Sequence, residues 1–267
     1  MKIYGLAVIA FLMISCNSNQ ENYSSYEEYP APVAENLWLK YSPEATTFKI
    51  WSPTAQEVKV LFYQKGDGGE HTVSYNLTQK NDGVWSKKVK GDLNGTYYTY
   101  QVRVNGNWQE ETPGIYATAV GVNGHRAMVL DLETTNPANW KNDKGPKITT
   151  PNEAIIYELH IRDMTIHPQS GSRYPGKYLG LAETGTKGPN NVATGVDHLK
   201  ELGITHVHLL PTYDHYSINE TKLDSAQFNW GYDPQNYNVP EGGYSTNPAD
   251  GATRIREFKT MVKTLHD

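Results

Sequence analysis

The chain has 267 residues, of which 37% are hydrophobic and 20% charged, with a net charge of −5. That length holds one large domain or two modest ones, and the composition is that of a globular protein. The acidic balance leaves no basic footprint for nucleic acid and no Lys/Arg cluster for anionic lipid. Nineteen tyrosines and six tryptophans are a surplus. Such rings fit β-sandwich cores, and they equally fit sugar-binding surfaces, where a flat apolar face lies on a pyranose ring.

The first sixteen residues differ from the rest. Lys2 supplies a short positive start, and residues 6–14 form an apolar run too short to span a bilayer as a mature helix. Ser15-Cys16 follows, with Met13 and Ile14 ahead of it, and the tetrad resembles the bacterial lipobox, in which the cysteine is lipidated and becomes the new N-terminus. Met13 stands where leucine is commoner. Cys16 is the sole cysteine in the chain, so it has no intramolecular disulfide partner. An ordinary signal peptide with an incidental cysteine is the plainer alternative. Residues 17–35 are polar and poor in aliphatics, as a disordered tether is.

From 36 to 132 the pattern is one of short strands. Residues 46–51 alternate and stop at Ser52-Pro53; 58–63 follow and end in a glycine-rich turn; Asn81-Asp82-Gly83 leads into Val84-Trp85. The clearest strand, 96–104, runs into Asn105-Gly106, a dipeptide suited to a tight hairpin. With no helical periodicity, this predicts an immunoglobulin-like all-β sandwich.

Residues 133–152 are polar and contain prolines, as a linker does. The pattern then changes. Residues 154–161 predict a strand, 168–191 a loop, and 195–202 a helix with Val196, Leu199 and Leu202 on one face. Residues 204–210 predict a second strand, and 252–265 a helix with Ile255, Phe258, Met261, Val262 and Leu265 in one stripe. Strand, helix, strand, helix is the start of an α/β barrel, whose working loops follow the strand C-termini. A closed barrel takes eight strands, so 153–267 is expected to hold only the first two β/α units of an incomplete (β/α)8 barrel.

Four stretches together resemble type I pullulanases, debranching enzymes of glycoside hydrolase family 13. They are AIIYELHIRDMT from Ala154, HLKELGITHVHLLPTYDH from His198, NWGYDP from Asn229, and YNVPEGGYS from Tyr237. The third is the most specific, although Phe228 stands where the family has a leading tyrosine. The sandwich, with Trp51-Ser52-Pro53-Thr54-Ala55 and residues 97–102, resembles carbohydrate-binding module family 48. The resemblance implies hydrolysis of α-1,6-glucosidic branches in pullulan, starch or glycogen dextrins by a retaining mechanism. It also implies catalytic acids on later strands, beyond residue 267, so that residues 1–267 alone are expected to be inactive. Within the chain, Tyr232 is implied to stack beneath the glucose at the cleavage point, with Asn229, Trp230 and Asp233 shaping the loop or approaching the sugar. No catalytic residue and no metal ligand are assigned. No cofactor is required by the resemblance, with calcium left open for a full-length enzyme. The expected partners are an α-glucan and, through Cys16, the membrane of a bacterial cell envelope.

Two other readings compete. His206-Val207-His208 puts two imidazoles on one strand face, and with His160, Asp163 or Asp214 it suggests a metal-dependent hydrolase; the plainer expectation is that both histidines are packed within the barrel. A non-catalytic glucan-binding lipoprotein is the second, with Trp85, Trp108 and Tyr98 as a sugar platform; in sandwiches such rings more often fill the core.

Overall fold

The computed structural model describes residues 26–34, 37–80 and 82–267. Cys16 and most of the expected tether lie outside the described residues. Among those described, no helix is long and apolar enough to cross a membrane.

The N-terminal half is a two-sheet β-sandwich. One sheet is formed by β1 (Lys40–Ser42), β2 (Ala45–Trp51), β5 (Thr78–Gln79) and β6 (Val84–Lys90), in the order β1-β2-β6-β5. The other contains β3 (Glu57–Tyr63), β4 (Val73–Asn76), β7 (Tyr97–Val104) and β8 (Asn107–Trp108), in the order β4-β3-β7-β8, with β9 (Ala127–Met128) also paired to β7. All pairings within the sandwich are antiparallel. Asn105 and Gly106 take φ of 50° and 78°, and this two-residue turn closes the β7–β8 hairpin with Val104 opposite Asn107.

Alternation along the strands sends one set of side chains between the sheets. Phe48, Val58, Val60, Phe62, Trp85, Tyr98 and Tyr100 form the core. Phe48 packs edge-on to Tyr98 with ring centroids 5.0 Å apart. The polar edges of the buried rings find partners: Trp85 Nε1 donates to Ser52 O at 2.9 Å, and Tyr100 OH accepts from Lys49 N at 3.1 Å. Trp85 and Tyr98 are therefore core residues and not a sugar platform, because both lie on the inward side of the pleat. Trp108 is half-buried under Lys59 Nζ, 4.1 Å from the ring centroid.

Beyond the sandwich, β10 (Ile156–Leu159) pairs in parallel with β11 (His206–Leu209). Between them lie α1 (Ile161–Thr165), α2 (Tyr178–Leu181) and α3 (Gly195–Glu201). After β11, β12 (Tyr213–His215) and β13 (Pro234–Pro240) form an antiparallel pair, followed by α4 (Gly251–His266). Asp250 caps α4 by accepting from Ala252 N and Thr253 N, each at 3.2 Å. Leu159, Ile161, Tyr178, Leu181, Leu199, Tyr244 and Met261 make the second core.

Several expectations need correction. The first strand stops at Leu159, two residues before Ile161, because His160 takes the N-cap position of α1 and accepts from Asp163 N at 3.4 Å. The segment read as loop holds α2, whose Tyr178 and Leu181 are buried against α4. The polar stretch 133–152 does not hang free: Lys259 Nζ of α4 bonds Leu132 O, Thr135 Oγ1 and Asn136 Oδ1, and His266 meets Asp143 at 2.7 Å. Within residues 1–267, His206 and His208 are exposed. They share the open face of the β10–β11 pair with Ile156 and Glu158, and His208 Nδ1 lies 3.1 Å from Glu158 Oε2. The other face, with Tyr157, Leu159, Val207 and Leu209, packs on the helices.

Candidate carbohydrate site

The C-terminal ends of β10 and β11 carry the elements that build the site. At the end of β10, the His160 ring stands edge-on to Tyr244, with centroids 5.6 Å apart. After β11, the chain leaves through Pro211 into β12, makes the long excursion 216–233, and returns along β13. The NWGYDP segment lies at the return of that excursion.

This loop is tied at both ends and bare in the middle. Tyr244 OH lies 3.2 Å from Asn229 Oδ1 and 3.2 Å from His160 Nε2. Since Oδ1 only accepts, the phenol donates to it and accepts from His160 Nε2–H. His160 Nδ1 already accepts from Asp163 N. One directed chain of hydrogen bonds thus runs from α1 through His160 and Tyr244 to the loop. At the other end, Asp233 Oδ1 accepts from Ser217 Oγ, Asp233 O accepts from Tyr216 N at 3.1 Å, and Ser217 Oγ also accepts from Gly231 N at 3.3 Å. Gly231 has φ of 79°, a left-handed turn that a side chain would strain.

The four residues expected to bind sugar are therefore brought together on one loop, and they divide into two kinds. Asn229 and Asp233 are partly buried and spend hydrogen bonds on holding the loop. Trp230 and Tyr232 project, 62% and 52% exposed, with ring centroids 5.7 Å apart and a 51° interplanar angle. Phe228 at 82% and Tyr237 at 70% extend the aromatic surface. Exposed rings of this density are costly to leave in water and suit the apolar faces of sugar rings.

Beneath the loop lies a buried charged layer that hydrophobic patterning missed. Arg254 of α4 is fully buried and bonds Asp214 Oδ1 at 2.9 Å, Glu220 Oε2 at 2.5 Å, Gly121 O at 2.8 Å and Pro248 O at 2.7 Å. Glu220 Oε2 also accepts from Asn123 N at 2.5 Å. The network therefore locks the 122–124 turn of the sandwich onto the excursion and α4. Asp214, Glu220 and Glu241 form the carboxylate cluster with metal-ligand spacing among the described residues. The cation this cluster holds is the Arg254 guanidinium, bonded directly to two of its three members.

Burial, then the neighbouring Glu220 and Asp214 charges, push the Glu241 carboxyl up to about 8. Glu241 accepts from His215 N at 3.1 Å and Gly243 N at 2.6 Å. Burial pushes the neighbouring His215 imidazole down; neither ring nitrogen has a hydrogen-bond partner, though Nε2 lies 3.6 Å from Glu241 Oε2. Near neutral pH, Glu241 is thus predominantly protonated and His215 neutral. A spread of charge on α4 was invisible to a reading that looked for apolar stripes: Arg254 and Glu257 are more deeply buried than Phe258.

A sandwich is thus joined through a buried charge network to a parallel β/α segment that carries an aromatic loop at its strand ends. The family profile of carbohydrate-binding module 48 (isoamylase N-terminal domain) matches residues 36–117. The chain is 40% identical over 230 residues to a pullulanase of Bacillus subtilis, covering 86% of this chain and 31% of that protein. It superposes with TM-score 0.86 and 48% identity on the pullulanase of Paenibacillus barengoltzii, solved with maltohexaose and α-cyclodextrin, covering 90% of this chain and 37% of that one. The pullulanase from Bacillus acidopullulyticus gives TM-score 0.84 at 44% identity, over 90% of this chain and 29% of the other. The chain carries a carbohydrate-binding module 48 domain and is a homologue of the pullulanases. It spans about a third of the length of these relatives.

Proposed function

We propose that the chain is the N-terminal part of an enzyme that hydrolyses α-1,6-glucosidic branches of pullulan, starch or glycogen dextrins with retention of configuration. The observation that carries this reading is the NWGYDP loop, held by Tyr244 and Ser217 at the C-terminal end of a parallel strand pair with two rings free to receive a sugar. Residues 36–132 are the glucan-binding sandwich, 133–152 connect it, and 153–267 begin a (β/α)8 barrel. Tyr232 stacks under the glucose at the scissile bond, Trp230 flanks it, and Asn229 and Asp233 fix the loop.

In a retaining mechanism one carboxylate attacks the anomeric carbon while a second acid, roughly 5 Å away, protonates the leaving oxygen and then activates water. Both acids belong to strands that follow residue 267, so this portion supplies the sugar-binding floor. The chemistry needs no cofactor. Cys16 is the lipid attachment point, placing the enzyme on the bacterial cell envelope. The support for α-glucan as substrate is that the Paenibacillus relative was solved with maltohexaose.

The test compares residues 17–267 with the same gene extended downstream, each given pullulan, by release of reducing ends. Turnover is expected from the extended product alone. Turnover by the short product would remove the assignment of the acids.

A further inference from the structure

A cavity opens along the seam between the sandwich and the excursion. It encloses about 440 Å³ and is lined by Glu110, Glu111 and Ile115 from the sandwich side and by Tyr216, Gln235 and Asn236 from the other. That volume is typical of a small-ligand site.

Its base is built from fixed groups. Glu111 Oε2 accepts from Tyr63 OH and from Thr99 Oγ1 at 2.6 Å, leaving Oε1 without a hydrogen bond to the described residues. Gln235 Nε2 donates to Asn123 O at 2.8 Å, which fixes the amide in place. Asn238 Nδ2 donates to Ile115 O at 2.9 Å, pinning the two walls together across the seam. Over this base stand two bare apolar groups, Tyr216 at 66% and Ile115 at 81% exposed. Arg126, the cation at the edge, spends its guanidinium on the carbonyls of Lys65, Gly68 and Gly69.

Those groups define the ligand. The two carboxylates share the lining with Arg126 and His125, which offset much of their charge, so a neutral ligand fits the cleft best. A platform ring with carboxylate and amide acceptors around it matches a polyhydroxylated ring, whose C–H face stacks while its hydroxyls donate. Tyr216 N is bonded to Asp233 O, so the platform sits on the back of the loop that carries Tyr232. We propose that this seam cleft is an auxiliary binding site for a short α-1,4-linked glucan, with Tyr216 as the stacking platform and Glu110 and Glu111 as hydroxyl acceptors. The proposal takes α-glucan from the functional reading above.

The experiment is calorimetric titration of maltohexaose into the full chain and into Tyr216→Ala, Tyr216→Phe and Tyr232→Ala, each checked for an unchanged unfolding midpoint. Two binding events are expected for the native chain. Tyr216→Ala weakens one of them at least tenfold, Tyr216→Phe keeps both, and Tyr232→Ala removes the other. Binding by Tyr216→Ala equal to the native chain overturns the seam site while leaving the loop reading intact. Loss in Tyr216→Ala with no change in Tyr232→Ala supports the seam site and counts against the loop instead. Absence of any binding to the native chain overturns the seam site.

Discussion

The two halves of this chain invert each other. The sandwich buries its aromatics: Phe48, Phe62, Trp85, Tyr98 and Tyr100 fill the space between its sheets. The second segment exposes Phe228, Trp230, Tyr232 and Tyr237, and buries Arg254, Glu241, Asp214, Glu220 and His215. Residue type does not decide where a ring goes. In the sandwich, strand alternation delivers rings to an interior that already exists. In the NWGYDP loop, asparagine, glycine and proline interrupt any periodicity; Ser217 and Tyr216 bond its backbone and Tyr244 its Asn229 side chain, while the rings are left outside. A structure that spends stability on bare rings and buried charge at one place has a surface to maintain there.

The inversion can be broken most forcefully in the sandwich. Phe48→Ala removes a fully buried ring from contact with Phe62 and Tyr98 and is expected to cost about 3–5 kcal/mol, read from urea unfolding. A cost under about 1 kcal/mol would mean that the sandwich core is not where this half draws its stability.

The next effect belongs to the buried charges. Glu241 goes from 4.5 in the unfolded chain to about 8 when folded. The folded state therefore holds a proton that the unfolded state releases, and stability falls as pH rises from about 4.5 through 8. One pH unit of displacement is worth about 1.4 kcal/mol, so between pH 5 and 8 the loss is expected to be roughly 2–4 kcal/mol. His215, pushed down by burial, acts oppositely below its usual 6.5. Glu241→Gln should flatten the fall in stability between about pH 4.5 and 8. An unaltered profile would show that Glu241 is ionised in the folded chain.

Tyr244→Phe tests the tie between the halves of the site. The ring packing stays, but the bonds to Asn229 and His160 are lost, at an expected cost of about 1–2 kcal/mol. Amide exchange in residues 228–233 should quicken. Unchanged exchange would mean that Ser217 alone holds the loop.

The smallest effect on stability is expected where the proposed function is most concentrated. Tyr232→Ala removes a half-exposed ring and should alter unfolding by no more than about 0.5 kcal/mol. Maltohexaose affinity at the loop should nonetheless fall. A large stability loss would make Tyr232 a packing residue.

Much of this was legible in the linear pattern because the signals are local. The Asn105-Gly106 hairpin, the helix from Gly195 with Val196 and Leu199 buried, and the long α4 stripe follow from turn chemistry and periodicity within a short stretch, although Leu202, expected on the same helix face, is exposed at the C-cap. The NWGYDP loop was recognisable as a motif, and its two projecting rings were named from it. What lay beyond reach was every feature made by residues distant in the chain. His160 reads as the last part of a strand until Asp163 N finds its ring; residues 133–152 read as a linker until Lys259 reaches Thr135 Oγ1 and Asn136 Oδ1. His206 and His208 read as packed, yet the face they share with Ile156 and Glu158 is open.

The sequence by itself determined the order of strands and helices, the sandwich, and the aromatic loop, since each depends on side-chain spacing along a short stretch. Only the tertiary structure decided that Arg254 on a helix would neutralise Asp214 and Glu220 and bind Gly121 of the sandwich, and that Tyr216 would face Glu111 across a seam. A charge is tolerated in an interior only where its partners converge from several segments, and convergence is a property of the folded chain.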